Sequence, residues 1–283
     1  MLGVTKMTHN QIYYISDVHF EFIISSKGIC QEKLEQYRKF FTPQPHQVQP
    51  NHKQILVIAG DLITSRHFHY IADFMTSLPY DNILYVLGNH EYYGDDFQKA
   101  QARIQDVIDK NEILKDKMVI LENDFVQFNG LKIIGTSYWY SVPFDKEFMI
   151  TQRLNDYKKI SNHYKKIHYP AFSNKNREAK EFIWNVLDKN NNDKVLLVTH
   201  HAISERHLLD SFPYPDCYGF GTLLHFSEEQ QNRLIGNIHG HSHFSEPHSY
   251  HNEYGIPVYT NTLGYIDNEF DLNKYRELPF ICT

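Results

Sequence analysis

Residues 55–61, Ile55-Leu-Val-Ile-Ala-Gly-Asp61, form an apolar run that ends in a glycine and a carboxylate. A short run rich in β-branched residues is typical of a strand that is covered on both faces. Gly60 lets the backbone turn sharply, so Asp61 follows the carboxyl end of the strand. Open α/β sheets place their binding sites at that end. The segment therefore predicts a buried parallel strand followed by a functional carboxylate.

Four further segments repeat this arrangement. Each is a short, mostly apolar run followed by polar residues that can bind metal ions. They are Ile12–Ile15 before Asp17-Val-His19, Ile83–Leu87 before Gly88-Asn89-His90-Glu91, Val195–Val198 before His200-His201, and Ile235–Ile238 before Gly240-His241-Ser-His243. Because the carboxyl ends of parallel strands meet at one edge of a sheet, we expect these polar side chains to lie close together.

The polar residues of the five segments are carboxylates, imidazoles and one amide. Two adjacent divalent cations need such ligands, with one carboxylate shared between them. Side chains alternate along an extended chain, so Asp17 and His19 share a face, as do His241 and His243. Each segment alone has a simpler explanation, such as a turn or a core histidine. All five in this order predict a centre for two metal ions.

The composition is that of an ordinary globular protein, with 41% hydrophobic and 22% charged residues among 283. The net charge of -6 argues against a surface for duplex nucleic acid, which needs a cationic face. Three scattered cysteines without a C-x-x-C pair predict reduced thiols in a cytoplasmic protein. No apolar run is long enough to predict a membrane span. We expect one domain over residues 1–283, and the sequence leaves its oligomeric state open.

Helical patterns fill the gaps between the predicted strands. They cover Glu32–Phe41, Phe68–Leu78, Asp96–Asn111, Lys175–Lys189 and Ser227–Leu234. Asn129-Gly130 predicts the turn of a hairpin over Phe125–Gly135, and a second hairpin is predicted over Glu246–Thr260. Residues 138–174 are aromatic and basic without a clean period, and we expect them to form an insertion over the site.

The ordered motifs between Asp17 and Tyr265 resemble those of the calcineurin-like metallophosphoesterases. Leu154-Asn-Asp-Tyr157, Val198–Ala202 and Asn261–Tyr265 are further similar to a branch of small bacterial-type phosphoesterases. The resemblance implies an α/β fold, a four-layer α-β-β-α sandwich of two mixed sheets flanked by helices. It also implies that a dinuclear metal site lies at the C-terminal ends of the strands.

The resemblance implies which side chains hold the metal ions. The first ion would be held by Asp17, His19, Asp61 and His243. Asp61 would bridge to a second ion, which would also be held by Asn89, His200 and His241. Of the adjacent histidines, His201 is expected to support its neighbour rather than to bind. We expect two divalent ions, Mn²⁺ first, with Fe or Zn²⁺ as alternatives.

The implied activity is that of a metal-dependent phosphoesterase, in which a metal-bridging hydroxide attacks a phosphate ester. Asp61 and His90 would be the catalytic residues, with His90 as the general acid for the departing oxygen. The expected partner is a small phosphorylated substrate, either a small-molecule or nucleotide phosphodiester or a monoester. A protein Ser/Thr phosphatase and a non-catalytic scaffold on the same fold are the alternatives.

Three residues are candidates for substrate binding: Arg153, Asn155 and Tyr92. Arg153 would contact a phosphate oxygen, or it would instead pair with Asp156. Tyr92 and the neighbouring Tyr93 would form part of the pocket wall beside the organic group.

One position departs from the family pattern. Many relatives carry Gly-Asp-x-x-Asp, in which the second aspartate orients the catalytic histidine, whereas this chain has Thr64 there. The support for His90 is therefore absent or comes from another residue, for which Glu91 and Asp95 are the candidates.

Overall fold

The structure is a computed structural model that describes residues 9–163, 165–168, 170–189, 193–204, 216–244, 247–266, 268–269, 271–273 and 276–283. The strands in this part of the chain are β1 His9–Ile15, β2 Ile24–Ser25, β3 Gly28–Ile29, β4 His52–Ala59, β5 Asn82–Val86, β6 Met118–Ile120, β7 Asp124–Phe128, β8 Leu131–Thr136, β9 Ser161–Asn162, β10 Lys165–Lys166, β11 Lys194–Thr199, β12 Leu234–Ile238, β13 His248–His251, β14 Pro257–Thr260 and β15 Phe280–Cys282.

The α-helices of the described residues are α1 Gln31–Phe41, α2 Ala72–Ser77, α3 Ala100–Asp109, α4 Leu114–Lys117, α5 Glu147–Arg153, α6 Asp156–Lys159, α7 Pro170–Leu187 and α8 Glu228–Arg233. Short 3-10 helices cover Phe20–Ile23, Ser65–Ile71, His90–Tyr92, Phe144–Lys146 and Asp216–Gly219. No helix within these ranges combines the length and the apolarity that crossing a membrane requires.

The first large sheet has the strand order β15-β1-β4-β5-β6. Strands β1, β4, β5 and β6 run parallel, and β15 is antiparallel beside β1. The register pairs Ile15 with Ile58 and Ile58 with Tyr85, so the three central strands end at nearly the same level. The polar segments that follow these strands therefore begin side by side, as expected from the sequence.

The second large sheet has the order β13-β14-β12-β11-β8-β7. Its four inner strands are parallel and its two edge strands are antiparallel to their neighbours. Strands β7 and β8 form the first predicted hairpin, in which Asn129 and Gly130 have the positive φ values, 47° and 81°, of a type I′ turn. Strands β13 and β14 form the second predicted hairpin, whose first residue, Glu246, lies outside the described residues.

The two sheets pack face to face, and helices cover the outer face of each. On β4, Val57 belongs to the apolar layer between the sheets together with Leu196 of β11. The next residue towards the N-terminus, Leu56, belongs to the outer layer with Phe40 of α1. Ile183 of α7 packs in the corresponding layer outside the second sheet. Burial on both faces explains the continuous apolar runs, and the predicted four-layer α-β-β-α sandwich is confirmed.

Each of the five helical patterns coincides with helical structure, but the ends differ, and helices α4, α5 and α6 were not predicted. The predicted helix over 96–111 begins only at Ala100, because the Asp96 side chain accepts a hydrogen bond from the N–H of Gln98 in a preceding turn. The pattern over 68–78 becomes a 3-10 helix followed by the short α2. Helix α8 begins after Ser227, which forms a capping box with Gln230.

Glu91 holds the ends of β4 and β5 together. Its buried carboxylate accepts hydrogen bonds from the backbone N–H groups of Asp61 (3.1 Å), Leu62 (2.7 Å) and Gly88 (2.7 Å). The hydroxyl of Tyr85 donates a fourth at 2.5 Å. Burial raises the pKa of Glu91, and these donors oppose that rise. The carboxylate therefore fixes Asp61 and Gly88 relative to each other beneath the site.

We expect Glu91→Gln to lower the free energy of unfolding by about 2–4 kcal/mol, because its amide nitrogen would face buried donors without an acceptor. Urea unfolding followed by circular dichroism measures this. The control is Glu112→Gln at a side chain that is 87% exposed, where we expect a change of less than about 0.5 kcal/mol. Equal small changes in both variants would contradict a stabilising role for the Glu91 carboxylate.

Candidate active site

The segments after β1 and β4 run side by side in a strained backbone conformation. The N–H of Asp17 donates to the carbonyl of Gly60, and that of His19 to the carbonyl of Asp61, both at 3.0 Å. Asp17, His19 and Asp61 have φ values of 54°, 53° and 54°. Such left-handed conformations cost about 1–3 kcal/mol for each non-glycine residue and cluster at functional sites. The fold therefore holds three predicted ligands in orientations that a relaxed strand end would not give.

Two glycines allow the strand ends to approach one another closely. Gly60 has a φ of 90°, and a Cβ at this position would overlap the imidazole of His200. A Cβ on Gly88 would overlap the carboxylate of Asp61. A larger residue at either position would separate side chains that the site brings together.

Asp17, His19 and His243 form the first cluster of predicted ligands. Their ligand atoms lie within 4.8 Å of one another. Nε2 of His243 is 3.3 Å from both Nε2 of His19 and Oδ1 of Asp17. Asp61 approaches from the other side, with its Oδ2 at 3.9 Å from Nε2 of His19. The four side chains assigned to one metal ion are thus together.

Two carboxylates behind this cluster orient the imidazole rings of His19 and His243 so that the Nε2 atoms face the centre of the cluster. Nδ1 of His19 is 3.2 Å from Oε1 of Glu21, and Nδ1 of His243 is 2.5 Å from Oε2 of Glu269. The Nδ1 proton of each ring is donated outwards, so each Nε2 presents a lone pair. Burial lowers the pKa of His243, but Asp17 and Glu269 raise it to about 10. The carboxylates therefore favour a positive charge at this place, which a divalent ion would supply.

His200 and Asn89 form the core of the second cluster. Nε2 of His200 lies 3.1 Å from Oδ1 of Asn89 and 3.4 Å from Oδ1 of Asp61. Nδ1 of His200 donates to the carbonyl of Ala59 at 2.8 Å. Burial lowers the pKa of His200 to about 3, so the neutral ring has no second proton for these oxygens. Three acceptors thus face one another without a donor, which is the arrangement that a cation requires.

His241 and His201 both adjoin this cluster, since a ligand atom of each lies within 4.8 Å of one of His200. The ring centroids of His241 and His200 are 5.0 Å apart, and those of His241 and His201 are 4.5 Å apart. The backbone N–H of His241 donates to both oxygens of Asp17 at 3.0 Å, which links the two clusters. Nδ1 of His201 bonds to the carbonyl of Ser137 at 3.0 Å, and its buried Nε2 has no hydrogen-bond partner among the described residues.

Asp61 lies between the two clusters and carries the least favourable charge of the site. Burial, with the nearby carboxylates of Glu91 and Asp17, raises the pKa of Asp61 well above its usual range. Divalent cations on either side would supply the missing positive charge. The donor set of carboxylate, amide oxygen and neutral imidazole fits divalent metal ions, and Asp61 lies between the two clusters.

His90 lies beside Asp61 and is oriented by Glu21. Its Nδ1 is 2.6 Å from Oε1 of Glu21, and its Nε2 is 3.9 Å from Oδ2 of Asp61. The sequence-based candidates for this support were wrong: Glu91 joins the strand ends, and the Asp95 carboxylate bonds to Ser65 and Arg103. Strand alternation does not predict the place of Glu21, because this residue lies in the 3-10 helix Phe20–Ile23.

The two clusters open into a cleft with a volume of about 380 Å³. The described residues that line it are Asp61, Asn89, His90, Tyr93, Leu154, Asn155, Asp156, Gly219, Phe220, His241, His243, Tyr265 and Glu269. Asn155 is thus at the cleft as expected. Tyr265 was not predicted as a site residue, and its ring centroid is 4.6 Å from that of His19 and 4.8 Å from that of His243.

Two of the predicted substrate residues lie elsewhere. Tyr92 is buried, with its ring 5.1 Å from that of Phe97 and 5.4 Å from that of Trp139, because the 3-10 helix turns it into the core. Arg153 forms two hydrogen bonds to the carboxylate of Asp216, at 2.5 and 2.7 Å, rather than pairing with Asp156. The guanidinium of Arg153 is thus paired with Asp216 at the outer edge of the site.

The segment 138–174 contributes only in part to the cleft. Tyr138, Trp139 and Tyr140 at its start are buried in the apolar core, which accounts for their aromatic character. Within its described residues, the cleft is lined by Leu154, Asn155 and Asp156, between helices α5 and α6.

Comparison with known proteins agrees with this geometry. The chain is 28% identical over 282 residues to an uncharacterized protein of Acanthamoeba polyphaga mimivirus, covering 93% of this chain and 94% of that protein. The fold is similar to that of phosphopantetheinyl hydrolase from Mycobacterium tuberculosis, with a TM-score of 0.63 and 17% identity over 92% of this chain and 91% of that one. A model of the calcineurin-like phosphoesterase family matches residues 11–245. Because this match spans most of the sequence, the chain belongs to the calcineurin-like phosphoesterase family.

Proposed function

We propose that this protein is a hydrolase that cleaves small phosphate esters with the help of two divalent cations. The observation that carries the proposal is the convergence of acceptor atoms, without donors between them, on two adjacent places in one cleft. The first cation would be held by Asp17, His19, Asp61 and His243. The second would be held by Asp61, Asn89, His200 and His241.

When bound, the two cations would supply Lewis acidity towards the phosphoryl oxygens and a nucleophilic water at neutral pH. The mixture of carboxylate oxygen, amide oxygen and imidazole nitrogen suits Mn²⁺, and also Fe or Zn²⁺. The cationic centre replaces the positive side chains that would otherwise bind the phosphate, since no Lys or Arg is among the described residues that line the cleft.

His90 is proposed to give the proton that the departing oxygen needs. The hydrogen bond from Nδ1 to Glu21 leaves Nε2 on the side of Asp61 and the cleft. A general acid must lie within hydrogen-bond reach of the leaving oxygen, and a ring that lines the cleft beside both clusters meets this requirement. Glu21 is a positioning residue that fixes the direction of the ring.

The walls of the cleft favour a substrate with one phosphate and an organic group. Tyr93, Phe220 and Tyr265 offer aromatic surface, and Asn155 offers an amide. A second or third phosphate would find no cationic side chain among the described lining residues, since Arg153 is paired with Asp216. A volume of about 380 Å³ suits a small molecule better than a folded protein surface. The substrate is therefore proposed to be a small-molecule or nucleotide phosphodiester, with monoesters as the second choice.

The alternative of a non-catalytic scaffold requires the loss of ligands, and every expected ligand together with His90 lies at the cleft or directly behind it. A cytoplasmic location is part of the proposal, because Cys30, Cys217 and Cys282 are free thiols.

We expect Mn²⁺-dependent hydrolysis of bis-p-nitrophenyl phosphate to be faster than that of p-nitrophenyl phosphate, because the monoester carries an extra charge that no Lys or Arg among the described lining residues offsets. Release of nitrophenolate measures both rates. Asp61→Asn should lower both rates by about 100-fold or more, because the shared carboxylate is lost. Mn²⁺-dependent turnover that survives in Asp61→Asn would contradict the proposed centre.

The effect of Asp61→Asn on stability should change sign when metal is added. Without metal, removing a buried charge beside Glu91 and Asp17 should raise the Tm by about 2–4 °C, as for ~1 kcal/mol in a chain of this size. With Mn²⁺, the native protein should be the more stable of the two, because only it binds both ions tightly. Differential scanning calorimetry with EDTA and with Mn²⁺ measures both differences. The same sign of change under both conditions would contradict the account.

His90→Asn should slow esters with poor alkoxide leaving groups far more than esters of nitrophenol, because nitrophenolate departs without a proton. Glu21→Gln should show the same selectivity to a smaller degree, because the His90 ring loses its charged partner. An equal loss for both esters should accompany it, because Glu21 also orients His19. The comparison uses methyl p-nitrophenyl phosphate against an alkyl diester that is matched in size. Equal losses of hydrolysis rate for both leaving groups in His90→Asn would contradict the role of His90 as general acid.

A further inference from the structure

Asn89 is the only amide among the ligands of the proposed centre in the described residues, and its side chain can face the site in two ways. An amide presents an acceptor oxygen on one side and two N–H donors on the other. Only the oxygen can bind a cation, so the direction of this amide decides whether the second cluster can hold a metal ion.

Asp156 contacts the nitrogen side of the amide. Its Oδ1 accepts a hydrogen bond from Nδ2 of Asn89 at 2.8 Å. Nδ2 also donates to the hydroxyl of Tyr93 at 2.9 Å, and that hydroxyl donates to Oδ1 of Asp156 at 2.7 Å. The hydroxyl of Tyr140 donates to Oδ2 of Asp156 at 3.0 Å. The carboxylate is only 4% exposed, so these contacts form largely away from water.

The carboxylate of Asp156 makes the opposite orientation of the amide unfavourable. Turning the amide over would place Oδ1 of Asn89 against Oδ1 of Asp156, two acceptors at hydrogen-bond distance. It would also place Nδ2 against Nε2 of His200, where a hydrogen bond would occupy the lone pair that a metal needs. Without the carboxylate, this bond to His200 would favour the wrong orientation. Asp156 thus removes a competing state as well as holding the correct one.

We propose that Asp156 is a positioning residue that sets the direction of the Asn89 amide and thereby creates the second metal position. The inference rests on the proposed two-cation function. It gives the segment 138–174 a role at the metal centre, since helix α6, which begins at Asp156, brings this carboxylate to the end of β5.

The first test is Mn²⁺ binding to Asp156→Ala by isothermal titration calorimetry. The native protein should bind two ions, and the variant should bind the first with unchanged affinity and the second about 10–100-fold more weakly, as for other residues that orient metal ligands. The matched control is Tyr140→Phe, which removes the bond to the other oxygen of Asp156 and should change the second affinity less than about threefold. Circular dichroism verifies folding, and Asp156→Asn replaces the alanine variant if the latter is unfolded.

A charge exchange distinguishes positioning from general support of the fold. Asn89→Asp alone should weaken the second site, because it opposes two carboxylates at the distance of the present hydrogen bond. Adding Asp156→Asn supplies an amide donor to the new carboxylate, which needs no particular orientation to offer an oxygen. The double variant Asn89→Asp/Asp156→Asn should therefore bind the second ion at least about tenfold more tightly than Asn89→Asp.

Each outcome decides between the proposals. Two ions bound by Asp156→Ala (or by Asp156→Asn, where that variant replaces it) with native affinities, or no recovery in the double variant, would overturn the role of Asp156 and leave the proposed function intact. Equal weakening of both ions would reduce Asp156 to a structural residue and overturn the inference. Fewer than two ions bound by the native protein would overturn both the inference and the proposed two-cation function.

Discussion

Buried acceptor atoms that face one another, with their donors turned away, are the constraint on which the rest of this structure depends. Nε2 of His19 and Nε2 of His243 converge in one place, and Nε2 of His200 meets the oxygens of Asn89 and Asp61 in another. Such contacts are repulsive in a low-dielectric interior unless a positive charge lies between them. The fold must therefore hold these groups together against their own repulsion until a cation binds.

Anionic and carbonyl groups around the site hold the ligand side chains in place. Each one bonds to the far side of a ligand or to the backbone beneath it: Glu21 to His19, Glu269 to His243, the Ala59 carbonyl to His200, and Glu91 to the N–H of Asp61. These bonds fix the tautomers and directions that a metal needs, and the carboxylates among them add negative charge around the cations. Backbone strain at Asp17, His19 and Asp61 is a further cost of the arrangement. The arrangement thus lowers the stability of the metal-free protein, and it orients the ligands before a metal ion binds.

Most of the fold follows from the sequence because its signals are local. The strands are short apolar runs with clear ends, and Asn129-Gly130 specifies its hairpin by backbone conformation alone. Helix ends are less predictable, since they depend on side-chain contacts such as the turn at Asp96. The segment 138–174 has no clear sequence signal, because Trp139 and Tyr140 have the composition of a binding surface but pack in the core.

The convergence of the predicted ligands was expected from the strand-end motifs, whereas their supporting groups were not. Glu269 follows His243 by 26 residues, and Asp156 follows Asn89 by 67, so no sequence spacing connects them. Glu21 is close in sequence to Asp17 and His19, but it lies in a 3-10 helix, so strand alternation does not predict its contact with His90. Tyr92 and Tyr93 are adjacent in sequence, and only the turn of the 3-10 helix decides which one reaches the cleft.

Anomalous diffraction at the manganese edge, from crystals of the protein soaked in Mn²⁺, tests the central claim most directly. The account predicts two peaks about 3.5–4 Å apart. One should lie among Asp17, His19 and His243, the other among Asn89, His200 and His241, with Asp61 in contact with both. A single peak, or peaks away from these side chains, would contradict the claim that the converging acceptors form a site for two cations.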